Sequence, residues 1–148
     1  MKLANIIKIS VFAKPEESEQ EIKQALLKLL PFDLEEEKLA LNRRAAQGFN
    51  ERKIIVYEIV LAKDRQMNKF LEFLDQNITR SQKDLLLKQA DSRLDDDLDF
   101  FIRLDKQSLM QGNYLITDSG DCHHIKISVA AFPRTREAAM KVIEEIFR

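Results

Sequence analysis

The chain has 148 residues, 45% hydrophobic and 33% charged, which is the balance of one globular domain and excludes a disordered chain. Lys and Arg number 24 against 25 Asp and Glu, so the net charge of −1 excludes a molecule coated in positive charge. The single cysteine, Cys122, excludes an internal disulfide and a Cys-rich zinc site, and no apolar run nears the roughly 18 residues of a spanning helix.

The opening Met1-Lys2-Leu3-Ala4-Asn5 has no signal-peptide core, so the expectation is a soluble cytoplasmic protein that avoids membranes. A first strand is predicted over Ile6 to Ala13, with Ile7, Ile9, Val11 and Ala13 on one face and Lys8, Ser10 and Phe12 on the other. Pro15 is expected to open a helix at its tolerated first position, with Glu16, Glu17 and Glu19 suited to the positive N-terminus. Ile22, Ala25, Leu26, Leu29 and Leu30 recur at helical spacing, and Pro31 stops the helix. A second strand over Lys38 to about Ala46 leads through Gly48-Phe49-Asn50-Glu51 into a third, Lys53 to Ala62. That third strand is apolar on both faces, which predicts a central strand or a sheet covered on both sides.

Two helices follow: Met67, Phe70, Leu71 and Leu74 form one stripe, and Ser81 with Asp84 resembles a capping box for the next. A fourth strand runs from about Leu98 to Asp105, with Phe100, Ile102 and Leu104 inward and Phe101, Arg103 and Asp105 outward. Lys106 to Gly112 reads as a short turn or helix, Asp118 to Asp121 as a turn, and Cys122 to Phe132 as the last strand. A helix from about Thr135 to Phe147 closes the chain on a stripe of Ala139, Val142, Ile143 and Ile146. The expected fold class is therefore α+β: two layers, a mainly antiparallel sheet of about five strands with helices packed against it, as one domain over residues 1–148.

One internal echo stands out. Ile7 to Pro15 matches Ile125 to Pro133 at seven of nine positions, each copy a strand, a proline and an amphipathic helix. Similar packing demands at two strand-to-helix joints account for it, since no longer repeat period is present. Both copies place Lys and Ser opposite the core face.

Three constellations carry possible chemistry. Asp91, Asp95, Asp96, Asp97, Asp99 and Asp105 form an acidic cluster that a divalent cation or a metal-dependent phosphoryl-transfer enzyme would use, but no ligand motif is present. The simpler reading is a solvated loop whose strand carboxylates pair with Arg103. His123 and His124 are neighbours in a strand, diverge to opposite faces and cannot chelate one ion. Cys122 beside them suggests a Cys–His nucleophile only superficially, because strand neighbours point apart.

The third constellation is charge itself. Residues 41–65 carry a net +3 and 122–148 a net +2, against −6 over 16–37 and −4 over 91–105. Arg43, Arg44, Arg52 and Lys53 bracket one hairpin and are expected to converge at its tip. A second element lies opposite the helix-facing side: Lys8, Ser10 and Phe12, Phe101 and Arg103, and His124, Lys126, Ser128 and Phe132. Basic residues among aromatics suit a sheet that stacks bases and holds phosphates. Burial of the same aromatics under the Met67–Ala90 helices, or in a homodimer, is the competing reading, and the two-sided third strand favours it.

Several blocks resemble a small archaeal family of RNA-binding domain proteins, also described as predicted exosome subunits. They are Ile9 to Glu17, Gly48-Phe49-Asn50 before Arg52-Lys53-Ile54, Ser92 to Asp96, Phe101 to Gln107, and Asp121 to Ile127. The resemblance runs over nearly the whole chain, and Arg103-Leu104-Asp105-Lys106-Gln107 is its most specific string. It implies a fold like that of the large-subunit ribosomal protein that holds 5S rRNA, and RNA binding in or near RNA processing and decay. It brings no catalytic residues and no cofactor or metal. The resulting expectation is a non-enzymatic protein with RNA and exosome subunits as partners. Its RNA-binding residues are expected to be Lys8, Arg43, Arg44, Arg52, Lys53, Arg103, Lys106, His124, Lys126, Arg134 and Arg136, with Arg93 and Arg103 also able to shape the acidic loop. The alternatives are a protein-interaction or dimerising subunit without RNA contact, and the metal-dependent enzyme.

Overall fold

A computed structural model describes residues 2–48, 52–118 and 120–148. The elements run β1 (Ala4–Ala13), α1 (Glu19–Lys28), β2 (Asn42–Gln47), β3 (Lys53–Leu61), α2 (Asp64–Asn77), α3 (Arg80–Lys88), α4 (Ala90–Arg93), β4 (Asp99–Asp105), α5 (Lys106–Met110), β5 (Cys122–Val129) and α6 (Arg136–Ile146). The five strands form one antiparallel sheet in the order β2-β3-β1-β5-β4. This is the α+β class expected from the pattern of elements.

Inward strand residues alternate as a period of two requires. Ile7, Ile9 and Val11 of β1, Tyr57, Ile59 and Leu61 of β3, Phe100, Ile102 and Leu104 of β4, and Ile125, Ile127 and Val129 of β5 are all buried. They meet the stripes of the helices: Ile22 and Leu26 of α1, Met67, Phe70, Leu71 and Leu74 of α2, and Ala139 and Ile143 of α6. Every one of these side chains belongs to a single apolar cluster on one side of the sheet.

Several boundaries differ from the sequence expectation, each for a local reason. The first helix begins at Glu19 and not at Pro15, because the Ser18 side chain accepts from Glu21 N at 3.3 Å and caps it there. Pro15 sits instead in a turn closed by Glu17 N donating to Lys14 O. Thr79, not Ser81, caps α3 by accepting from Gln82 N. The second strand starts at Asn42 because Lys38 adopts a left-handed backbone (φ 57°) that ends the preceding turn. The last strand stops at Val129, where Ala130 N turns to Leu3 O. Thr135, where the last helix is expected to begin, caps α6 by accepting from Ala138 N.

The echoed segments turn out to be neighbours. Strands β1 and β5 pair antiparallel with Ile7 opposite Ile127, Lys8 opposite Lys126 and Ile9 opposite Ile125. The repeated Ile-Lys-Ile thus meets its own copy about a local two-fold centre. Of the two readings of β3, the central strand holds, since it lies between β2 and β1, and the doubly covered sheet is not found. Among the described residues, no helix joins the second face, and Val56 is buried there between its strand partners Arg44 and Phe12.

Candidate nucleic-acid interface

The strand registers assign every side chain on the second face to a row. One row crosses the sheet as Val60, Lys8, Lys126 and Phe101. The next is Asn42, Glu58, Ser10, His124 and Arg103, and beyond it lie Arg44, Val56 and Phe12. Lys8, Ser10, Phe12, Phe101, His124 and Lys126 line a shallow depression of about 230 Å³. Phe12 is 42% exposed, and its ring lies 6.1 Å from that of His124, centre to centre. Burial, then the nearby Arg103 charge, lowers the His124 pKa below the usual histidine range, so the imidazole is neutral near pH 7.

Lys8 and Lys126 stand directly opposite each other, a like-charge pair that weakens a sheet unless something negative lies between or beside them. Asp99 supplies part of that charge: one of its oxygens is 3.4 Å from Lys126 Nζ, and the other accepts from Ser128 Oγ at 2.7 Å. Among the described residues, Lys8, Arg44 and Arg103 take part in no salt bridge. The open face therefore gathers Lys8, Arg44, Arg103, His124 and Lys126 from the expected RNA-contacting set.

The rest of that set goes elsewhere. Arg43 faces the helix side and donates to Glu19, which also accepts from Tyr57. The Arg43 guanidinium, followed by the Tyr57 hydroxyl, holds the Glu19 carboxyl down at about 2. Arg52 pairs with Glu16, and Lys53 is exposed opposite Gln47. The hairpin cations therefore do not converge: adjacent Arg43 and Arg44 diverge to opposite faces, and the tip at 49–51 lies outside the described residues. Basic and acidic segments that are separate along the chain neutralise each other in space, the hairpin against the start of α1.

Lys106 is fully buried, its Nζ donating to Phe12 O at 2.7 Å and pairing with Glu17 at 3.0 Å. It is a strut beneath β1 and is corrected out of the phosphate-facing set. Strand parity carried the signal, because Lys106 continues the inward series Phe100, Ile102, Leu104. Arg134 donates to Asp97 O, while Arg136 donates to Leu94 O and to the Asp91 carboxylate. These two brace the acidic loop, the task expected of Arg93 and Arg103. Arg93 instead ties Gln89 to Asp118 from a buried position, and Arg103 stays on the open face.

Asp95, Asp97 and Asp99 bring oxygens within 4.8 Å of one another, and those of Asp95 and Asp99 already hold partners within the protein. Asp95 Oδ1 accepts from Asp97 N and Asp99 N, and Asp99 serves Ser128 and Lys126. Asp105, expected to pair with Arg103, caps α5 by accepting from Ser108 N.

His123 and His124 do diverge. His123 is fully buried on the helix side with neither ring nitrogen hydrogen-bonded, and burial, then the Lys106 charge, lowers its pKa to about 4. Cys122 and His124, two apart, share a face, and Cys122 Sγ lies 3.4 Å from His124 Nε2. Strand divergence separates Cys122 only from His123. Burial pushes the Cys122 thiol pKa up, which opposes the thiolate that a nucleophile needs.

Comparison with known proteins fits this geometry. Residues 6–131 match the model of a family described as RNA binding. The chain belongs to this RNA-binding family. An RNA-binding protein of Pyrococcus abyssi is 28% identical over 142 residues, covering 96% of this chain and 92% of the relative. Among solved structures, a DUF54 protein from Methanothermobacter thermautotrophicus superposes with a TM-score of 0.79 at 27% identity, covering 99% of each chain. A DUF54 protein from Archaeoglobus fulgidus reaches a TM-score of 0.86 at 23% identity, over 98% of this chain and 99% of that one, and shares the fold. No helix among the described residues is long and apolar enough to cross a membrane.

Proposed function

We propose that this chain is a non-enzymatic, single-domain RNA-binding protein of the cytoplasm that meets RNA phosphates through the open sheet face. It serves as an accessory factor in RNA processing, exosome-linked decay or ribonucleoprotein assembly. The observation that carries this reading is the placement of Lys8 opposite Lys126, beside Arg103, on a face no described helix packs against. Phosphate answers the like-charge repulsion that the fold builds into that face, and counterion release then supplies much of the affinity. The RNA-binding relative from Pyrococcus abyssi supports the same reading.

Arg44 extends the surface at the β2 end; Lys53 shares the opposite face with Arg43, and Arg43 and Arg52 reach phosphate only after leaving Glu19 and Glu16. The alternative, a partner protein or second copy on this face, has the exposed Ile6 and Phe12 in its favour. A second copy would have to accommodate its own opposed lysines as well, which burial makes costly. Ultraviolet crosslinking to cellular RNA, with mapping of the crosslinked peptides, tests the proposal. Adducts are expected on Phe12, Phe101 and His124. Adducts confined to α6 or the β2–β3 hairpin would overturn it. Co-purification of exosome subunits that survives RNase would establish the physical link to decay.

A further inference from the structure

Resting on that reading, we infer that the open face takes single-stranded RNA, with unpaired bases laid on Phe12 and Phe101 and the connecting phosphate between Lys8 and Lys126. The geometry separates this from duplex recognition. Phe12 and Phe101 stand at opposite corners of the depression, and the lysine row is the row of Phe101. Phe12 lies four residues beyond Lys8 along β1, roughly 13 Å at the rise of a strand. A strand of RNA laid from Phe101 towards Phe12 therefore meets the paired ammonium groups beside Phe101 and crosses His124 before it reaches Phe12.

A duplex cannot use these aromatics. Its base faces are stacked inside, and its protein contacts are phosphates and 2′-hydroxyls across a shallow minor groove. The depression, at about 230 Å³, lies below the range of pockets for drug-sized ligands and suits a single base or sugar. The half-buried Phe101 ring beside the lysine pair and the exposed Phe12 ring across the depression offer stacking and charge together, the combination single-strand binders use. His124, held neutral against Phe12, widens that stacking surface, and Ser10 offers a hydroxyl at its floor.

The test compares a short unstructured oligouridylate, the same oligomer annealed to its complement, and an abasic chain of equal length. The full chain and its Phe12→Ala, Phe101→Ala, Phe12→Trp and Lys8→Ala/Lys126→Ala variants are titrated, with circular dichroism checking each fold. Phe12→Ala and Phe101→Ala are each expected to weaken binding of the single strand about 5- to 150-fold, the range of one lost base stack. They leave the abasic chain unaffected, and Phe12→Trp retains the wild-type affinity. Equal affinity for single strand and duplex, with the Phe variants silent and the Lys variant weakened, would overturn the single-strand inference and leave the RNA-binding face standing. Unchanged binding in the Lys variant as well would remove both.

Discussion

His123 and His124 are neighbours in β5, yet one belongs to a sealed interior and the other to a surface built for contact. His123 shares its face with Ile125 and Ile127 under the helices; His124 shares its face with Lys126 beside the exposed Phe12. The same alternation divides the whole sheet. The covered face holds nearly pure hydrocarbon, and where it admits a charge, Lys106, it meets it fully with Glu17 and Phe12 O. The open face does the reverse: it leaves two lysines opposed and, among the described residues, Lys8 without a carboxylate. Stability is secured on one face, and the other is free to carry charge that a ligand must answer.

Breaking the covered face should cost most. Lys106→Ala leaves Glu17 beside an empty site and is expected to destabilise the protein by about 3–5 kcal/mol, read from denaturant unfolding. Pairing it with Glu17→Gln should recover part of that loss, because the orphaned carboxylate is gone. If Lys106→Ala unfolds at the wild-type midpoint, the strut assignment fails.

His123 sharpens the contrast through pH. Its folded pKa of about 4 lies below the unfolded value near 6.5, so the unfolded chain binds the extra proton between them. Stability should therefore fall as pH drops from about 6.5 to about 4, by about 3 kcal/mol from this group, and change no further below that. His123→Leu removes the titration along with two unpaired buried nitrogens. It is expected to match or exceed wild-type stability at pH 7 and to show a flatter acid limb. An unchanged acid limb would contradict the assignment.

On the open face the same tests should barely register. Lys8→Ala/Lys126→Ala is expected to shift stability by no more than about 0.5 kcal/mol, with a small gain favoured by relief of the like-charge pair. Smallest of all is the Arg43–Glu19 contact, exposed on both sides; Arg43→Ala should leave the Tm unchanged. A large drop in the lysine variant would mean that the open face is part of the fold's support, and a large drop in Arg43→Ala would mean that its exposed ion pair is.

The legible part of this molecule was local and periodic. Period-two alternation assigned the inward residues of β1 and β4, and Thr135 marked the start of α6. Helix and strand starts failed where two local signals competed, as when the Ser18 cap prevailed over Pro15. The open face was harder, because β3 looks apolar on both sides. Val56 escapes water through its strand partners and needs no covering helix, a distinction alternation cannot make. Charge pairing was hidden for a different reason: Arg43–Glu19, Arg136–Asp91 and Lys106–Glu17 join residues 24, 45 and 89 apart, so segment charges did not predict where free cations remain. The candidate lysines were readable from parity, but their face-to-face pairing required the β1–β5 register.

The salt dependence of RNA affinity tests the central claim most directly. For a single strand, the slope of log affinity against log salt is about 0.7 per phosphate neutralised, so Lys8→Ala/Lys126→Ala, which gives up the one phosphate the pair holds, should reduce its magnitude by about 0.7 while Arg43→Ala leaves it near wild type. A double variant whose slope and affinity equal those of the wild type would contradict the assignment of the open face as the RNA-binding surface.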